Sequence, residues 1–213
     1  MGCTRSKGKE VDLIKAIYWD IGGVLARTTD RQPRQELAQR LGMTYEALES
    51  LVFGSESGRL AQRGEISEPE RWARLAGELD IDPAEVPAVQ RVFFGGDTID
   101  DGLMAYIRDL HQRYRTGIIS NAMSSARGLV LERWGMGDAF DHLTFSSEVG
   151  VMKPDPRIYQ HALQGLGVQP AEAVFIDDFL RNVDGARAVG MQAIQFLDPQ
   201  QTMQDLDELL KRI

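Results

Sequence analysis

The stretch Ala16-Ile17-Tyr18-Trp19-Asp20-Ile21-Gly22-Gly23-Val24-Leu25 constrains the rest of the chain more than any other. An apolar run stops there at a carboxylate, and a glycine pair then lets the backbone turn sharply. Such a run, bounded by Gly, reads as a buried strand, which puts Asp20 at the strand's end. In open α/β sheets, ligands gather beyond the carboxyl ends of strands. An isolated buried carboxylate costs several kcal/mol, whereas one facing a metal or a substrate is compensated. Asp20 is therefore a candidate nucleophile or ligand, with a turn-starting or helix-capping aspartate as the plain alternative.

Downstream, Arg27 to Pro33 is polar and reads as a linker, and from Gln35 to Phe94 only helical patterns occur. Glu36 to Arg40 and Thr44 to Phe53 are two helices broken at Gly42, with Thr44 placed to cap the second. Ser67-Glu68-Pro69-Glu70 has the spacing of a capping box, and Trp72, Leu75, Ala76 and Leu79 follow as one apolar stripe. Asp82-Pro83 starts another helix, to Val92. A run of short helices inserted straight after a strand predicts a helical cap over residues 27–96.

From Asp100 the rhythm changes to alternation. Helices are predicted from Leu103 to Tyr114, Ser124 to Trp134, Asp155 to Leu166 and Asn182 to Val189. Strands are predicted at Thr116 to Ser120, His142 to Ser147, Ala173 to Ile176 and Met191 to Phe196. Together they predict an α/β protein with a doubly wound parallel sheet, its core formed by residues 11–26 and 97–213 and preceded by a flexible tail over residues 1–10.

Composition narrows the partners. With a net charge of −8, the chain has no electrostatic footprint for nucleic acid or an anionic membrane surface, and a bound cation could account for part of the acidic excess. A single cysteine, Cys3, fits a reducing compartment, and no stretch has the length of a membrane span, so a cytoplasmic location is expected. Met1-Gly2-Cys3-Thr4-Arg5-Ser6 matches the loose pattern for N-terminal acylation, with a polar tail as the plainer reading. Composition leaves the oligomeric state open.

Four strand ends carry polar residues that a sheet interior would not accommodate: Asp20, Ser120-Asn121, Lys153 just past the third strand of the core, and Asp177-Asp178. Each alone could be a turn, a loop lysine or a helix cap. Parallel strands put their carboxyl ends on one edge, so the groups converge. Such a set suits phosphoryl chemistry, where a carboxylate can attack a negatively charged group only if cations and donors offset the repulsion. Asp20 and Asp178 offer two carboxylates to Mg²⁺, the Gly22 carbonyl offers a third oxygen, Asp177 is a further candidate metal residue, and Asp177 and Asn182 can orient the shell. Lys153 supplies a fixed positive charge, while the Ser120 hydroxyl and the Asn121 backbone N–H can donate to phosphoryl oxygens.

The order Tyr18-Trp19-Asp20-Ile21-Gly22-Gly23-Val24-Leu25, then Ile118-Ile119-Ser120-Asn121, Lys153-Pro154-Asp155-Pro156-Arg157-Ile158-Tyr159 and Val174-Phe175-Ile176-Asp177-Asp178 with Asn182 and Gly185-Ala186, resembles the haloacid dehalogenase-like hydrolase superfamily. The resemblance implies a Rossmann-like core with an α-helical cap inserted after the first motif. It also implies a Mg²⁺-dependent phosphatase acting on a small phosphate monoester, in which Asp20 attacks phosphorus to give an aspartyl-phosphate.

The pattern breaks at Gly22, where most phosphatases of this superfamily carry a second aspartate that serves as acid and base. General acid catalysis is worth typically 10²–10⁴-fold, roughly 3 to 5 kcal/mol of barrier, so turnover is expected to be slowed rather than abolished. The deficit matters least for an acidic leaving oxygen, such as the anomeric oxygen of a sugar 1-phosphate. An Asp-x-Gly first motif with Gly64-Glu65-Ile66-Ser67 is similar to the bacterial glucose-1-phosphate phosphatase branch. Asp30 is a candidate replacement acid with a plain linker carboxylate as its alternative, and Arg59, Arg63 and Trp72 are cap residues placed to meet a sugar phosphate, Trp72 also reading as core. Two alternatives differ in class: a non-catalytic phosphate-binding or interaction protein of the same fold, and a metal-independent 2-haloacid dehalogenase, against which the paired Asp177-Asp178 stands.

Overall fold

The computed structural model describes residues 13–211, so the proposed tail and acylation signal lie outside the described residues. The strands are β1 (Ala16–Trp19), β2 (Ala26–Thr28), β3 (Asp97–Ile99), β4 (Arg115–Ser120), β5 (His142–Phe145), β6 (Ala173–Asp177) and β7 (Gln192–Gln195). Five of them form a wholly parallel sheet in the order β5-β4-β1-β6-β7. The chain builds outward from β1 through β4 to β5, then crosses back to β6 on the other side, so the order reverses between β1 and β6. A crevice opens at the carboxyl ends of strands at such a reversal.

Helices cover both faces. In the first half of the chain lie α1 (Gln32–Arg40), α2 (Tyr45–Glu49), α3 (Glu56–Gln62), α4 (Glu68–Glu78) and α5 (Val86–Phe93). The second half adds α6 (Asp101–His111), the single turns α7 (Ala126–Gly128) and α8 (Ser146–Val149), then α9 (Pro156–Leu166), α10 (Leu180–Ala188) and α11 (Pro199–Lys211). The period-2 alternation of side chains splits β1 cleanly. Ile17 and Trp19 join a cluster with Leu103, Ile107 and Leu110 of α6 and Leu206 of α11, while Ala16 and Tyr18 pack with Ile158, Ala162 and Leu166 of α9. Burial on both sides explains why the strand reads as a continuous apolar run.

Helices α1–α5 and the turn Ser50–Gly54 between α2 and α3 have a separate apolar cluster of Leu37, Leu48, Val52, Trp72, Leu75, Val89 and Phe93, with Trp72 fully within it. Arg34 ties this bundle together from inside: its guanidinium donates to the Phe93 carbonyl at 3.0 Å and to Asp97 at 3.0 Å, and pairs with Glu49. A buried guanidinium requires partners of this kind. The bundle rises from the sheet on the antiparallel ribbon β2–β3, with Ala26 opposite Ile99 and Thr28 opposite Asp97.

That ribbon departs from the sequence expectation of a plain linker from Arg27 to Pro33. Its strands are only three residues each, too short for a period-2 pattern to register. Helix α1 also begins earlier than expected, at Gln32, with Pro33 accommodated in its first turn. The Ser67 hydroxyl caps α4 as expected, accepting from the Glu70 N–H at 3.3 Å, but the Glu70 carboxylate turns to Arg74 at 2.6 Å. Helix α11 was not anticipated, although Leu206, Leu209 and Leu210 mark its inner face.

Candidate active site

Asp20 follows the last residue of β1, and its backbone N–H donates to the Ile176 carbonyl of β6 at 2.9 Å, which fixes it beside the end of that strand. Residues Asp177 and Asp178 follow Ile176, so three carboxylates meet at the sheet reversal with ligand oxygens all within 4.8 Å of one another. Three like charges at such spacing need compensation. Lys153 provides part of it. Its ammonium lies 2.8 Å from Asp20 and 2.6 Å from Asp177 and donates to the Ile119 carbonyl at 2.9 Å, with the side chain almost wholly buried.

The lysine is held through its own backbone. The Asn121 amide clasps residue 153 from both sides, accepting from its N–H at 2.7 Å and donating to its carbonyl at 3.1 Å, beside the cis Lys153–Pro154 peptide. Thus the side chain of Asn121 positions Lys153, a use the sequence reading did not assign to it. The Ser120 hydroxyl donates to Asp20.

Asp177 is completely buried and fully used. Its oxygens accept from Lys153, from the Phe179 N–H at 2.8 Å and from the Asn182 amide at 3.0 and 3.1 Å. A carboxylate has about four acceptor positions, so Asp177 is saturated as an anchor and has little left for a ligand. Asp178 is the opposite case. Its Oδ1 is buried without a partner, and its backbone carbonyl accepts from Gln195 at 3.1 Å. An orphaned buried carboxylate oxygen beside a second carboxylate is a donor set that a hard divalent cation fits, and Asp20 and Asp178 are the side chains that would hold it.

Electrostatics agree with a site short of positive charge. Burial pushes the Asp20 carboxyl up to about 7, with Lys153 pulling the other way and Asp177 adding to the rise. Burial, reinforced by Asp177, pushes Asp178 up to about 6. A cation between them would lower both.

The glycine pair has two distinct uses. Gly23 has φ +79°, and a Cβ there would stand 2.3 Å from Asp178 Oδ2, so this turn admits the Asp178 carboxylate only because the side chain is missing. Gly22 has open space where its Cβ would be. Nothing in the packing demands glycine at position 22.

Other residues singled out in the sequence lie elsewhere. Asp30 is exposed and accepts from the Gln32 N–H at 2.9 Å at the entry to α1, the plain linker role. Arg59 is bound to the Gly54 carbonyl and to Glu56 at 2.9 Å, and Arg63 pairs with Glu65. Gly64, with φ +71°, packs so closely on the core that a Cβ would lie 2.1 Å from the Ser147 carbonyl oxygen. Its place in Gly64-Glu65-Ile66-Ser67 is thus explained by contact between the helical bundle and the sheet domain.

A profile of haloacid dehalogenase-like hydrolases matches residues 14–190. The chain belongs to the haloacid dehalogenase-like hydrolase family. It is similar to the sesquiterpene phosphatase astK of Aspergillus oryzae, with 27% identity over 197 residues covering 92% of this chain and 96% of that protein. It is also 35% identical over 208 residues to acyl-CoA dehydrogenase family member 10 of Mus musculus, covering 92% of this chain but only 19% of that longer protein. Among solved structures, the wild-type family enzyme bt-2542 of Bacteroides thetaiotaomicron, in complex with magnesium and inorganic phosphate, superposes with a TM-score of 0.70 at 21% identity, covering 85% of this chain and 93% of that one. No helix among the described residues is long and apolar enough to cross a membrane.

Proposed function

We propose that the protein is a Mg²⁺-dependent phosphatase that hydrolyses a small phosphate monoester through an aspartyl-phosphate on Asp20. The observation that carries this reading is the pairing of a buried, lysine-bound Asp20 with an Asp178 whose Oδ1 has no partner. The Asp20 carboxylate attacks phosphorus while the bond to the ester oxygen breaks, and that oxygen departs with the bonding electron pair as an anion that takes a proton from water. Water then attacks the phosphorus of the acyl phosphate and the bond to Asp20 breaks, returning Asp20 as a carboxylate and releasing inorganic phosphate, with the water's surplus proton carried on the phosphate or passed to solvent. Lys153 stays beside the attacking oxygen and offsets charge on the phosphoryl group, and the Ser120 hydroxyl and the Asn121 N–H are the donors for its oxygens. Mg²⁺ held by Asp20, Asp178 and the Gly22 carbonyl would neutralise further charge, with Asp177 and Asn182 orienting the shell. The phosphatase activity named for the Aspergillus relative and the magnesium and phosphate of the Bacteroides structure support the assignment.

With Gly22 supplying no proton donor, esters with an acidic leaving oxygen are favoured, and sugar 1-phosphates are one such class through the similarity to the glucose-1-phosphate phosphatase branch. A 2-haloacid dehalogenase would gain nothing from the Asp178 carboxylate. The test is phosphate release from a panel of esters with and without Mg²⁺, on the wild type and on Asp20→Asn. Release that needs Mg²⁺ and vanishes in the variant is expected; equal release by both proteins would remove Asp20 as the nucleophile. Turnover of a 2-haloacid insensitive to chelator would replace the phosphatase with the dehalogenase.

A further inference from the structure

Asp178 is the side chain left open to a cation, and two consecutive residues at the end of β7 hold the backbone on either side of it. Gln195 is the last residue of that edge strand and stands opposite Asp177, the last residue of β6. The following N–H, that of Phe196, donates to the Asp177 carbonyl at 2.9 Å. Past that bond a side chain takes over from the backbone: the Gln195 amide donates to the Asp178 carbonyl at 3.1 Å.

The carbonyl of Asp178 and the N–H of Phe179 belong to one peptide unit. Its N–H end is held as well, donating to Asp177 Oδ1 at 2.8 Å. The peptide plane after Asp178 is therefore pinned at both ends, and the plane before it through the Asp177 carbonyl. A residue has only two soft backbone dihedrals, so fixing both flanking planes fixes the direction in which the Asp178 side chain leaves the chain. On one side of the carboxylate the turn at Gly23 approaches so closely that a Cβ there would stand 2.3 Å from Oδ2. What stays open is Oδ1, buried and without a hydrogen-bond partner. A carboxylate oxygen left unpaired on a backbone held from three directions is preorganised for a ligand, and the ordering cost of binding is lowered accordingly.

Resting on the metal-dependent phosphatase reading, we propose that Gln195 is a positioning residue for the divalent cation: its amide fixes the peptide from which Asp178 projects and so sets how tightly Mg²⁺ is held. Outer partners of metal ligands are typically worth 10–100-fold in metal affinity. The role has an ion-specific signature. Mg²⁺ demands near-ideal octahedral geometry, whereas Ca²⁺ accepts irregular arrangements of its oxygens. Loosening Asp178 therefore costs Mg²⁺ more than Ca²⁺.

The test titrates Mg²⁺, and separately Ca²⁺, into the metal-free wild type, Gln195→Leu and Gln195→Met, and reads each dissociation constant from the rise in melting temperature. Both substitutions remove the amide donor and keep much of the bulk of a partly exposed residue, so the metal-free melting temperature is expected to fall by less than about five degrees. The Mg²⁺ dissociation constant is expected to rise about tenfold in both variants, and that of Ca²⁺ by less than about threefold. An unchanged Mg²⁺ affinity, or an equal loss for the two ions, would overturn the positioning role and leave the phosphatase standing. A much larger drop in the metal-free melting temperature of both variants would make Gln195 a residue of the fold rather than of the metal site, and would overturn it too. No Mg²⁺ binding by the wild type would overturn the metal-dependent reading itself, and the role of Gln195 with it.

Discussion

Replacing Gly22 by Asp is expected to accelerate the enzyme. A Cβ at position 22 meets nothing within 4 Å, and the φ there is not left-handed, so the side chain can be added without strain. The new carboxyl would stand two residues from Asp20, which clusters with Asp177 and Asp178 and shares Lys153 with Asp177. Like charges raise its pKa and keep it protonated near neutrality, as a general acid requires. General acid catalysis is worth about 10²–10⁴-fold, and the full gain applies only where departure of the leaving oxygen limits the rate. For an alkyl phosphate, kcat/KM is therefore expected to rise at least about tenfold, while for 4-nitrophenyl phosphate, whose leaving group needs no proton, it should change less than about threefold. Steady-state phosphate release across esters of graded leaving-group acidity measures this, with thermal unfolding as a check that the variant is folded. A steep dependence on leaving-group acidity in the wild type that persists unchanged in Gly22→Asp would refute the reasoning.

Removing the shared ammonium by Lys153→Met leaves two buried carboxylates without their cation, a loss of about 3–5 kcal/mol for a broken buried pair, so the metal-free variant should melt about ten degrees lower, and Mg²⁺ should restore part of that but little of the activity. The pH response of the metal-free protein has a definite sign. Asp20 and Asp178 are raised to about 7 and about 6 from 3.8, so the folded state holds more protons than the unfolded one between these values; the stability they contribute is complete below about pH 4 and is lost as pH rises through about 7. Because a cation competes with those protons, the rise in melting temperature on adding Mg²⁺ should be larger at pH 8 than at pH 5 by differential scanning fluorimetry; an equal rise at both would place the ion elsewhere.

Most of the sheet was legible because its strands are buried on both faces and stop at Gly, Asp or Ser, as in Val174-Phe175-Ile176-Asp177. The convergence of Asp20, Lys153 and Asp178 followed from topology alone, since parallel strands share one carboxyl edge. Several features were not legible for physical reasons. The β2–β3 ribbon is too short to carry a period, and its register depends on partners nearly seventy positions apart, as in Thr28 opposite Asp97. The clasp of Asn121 on the Lys153 backbone is a long-range hydrogen bond with no sequence signature. The division of labour between Asp177 and Asp178, adjacent and chemically identical, arises from which one the Asn182 amide, the Lys153 ammonium and the Phe179 N–H reach. Phe53 and Phe94 sit in stretches that read simply as helix, and their exposure is a property of the packed bundle.

The most direct measurement is the fate of Asp20 during turnover. Enzyme quenched in acid while hydrolysing a phosphate ester in Mg²⁺, then digested and mapped by mass spectrometry, is expected to carry a phosphoryl group on the peptide containing Asp20 and on no other. A phosphoryl group found on a different residue, or steady turnover with oxygen from labelled water entering phosphate in a single displacement and no acyl phosphate formed, would contradict the assignment of Asp20 as the nucleophile.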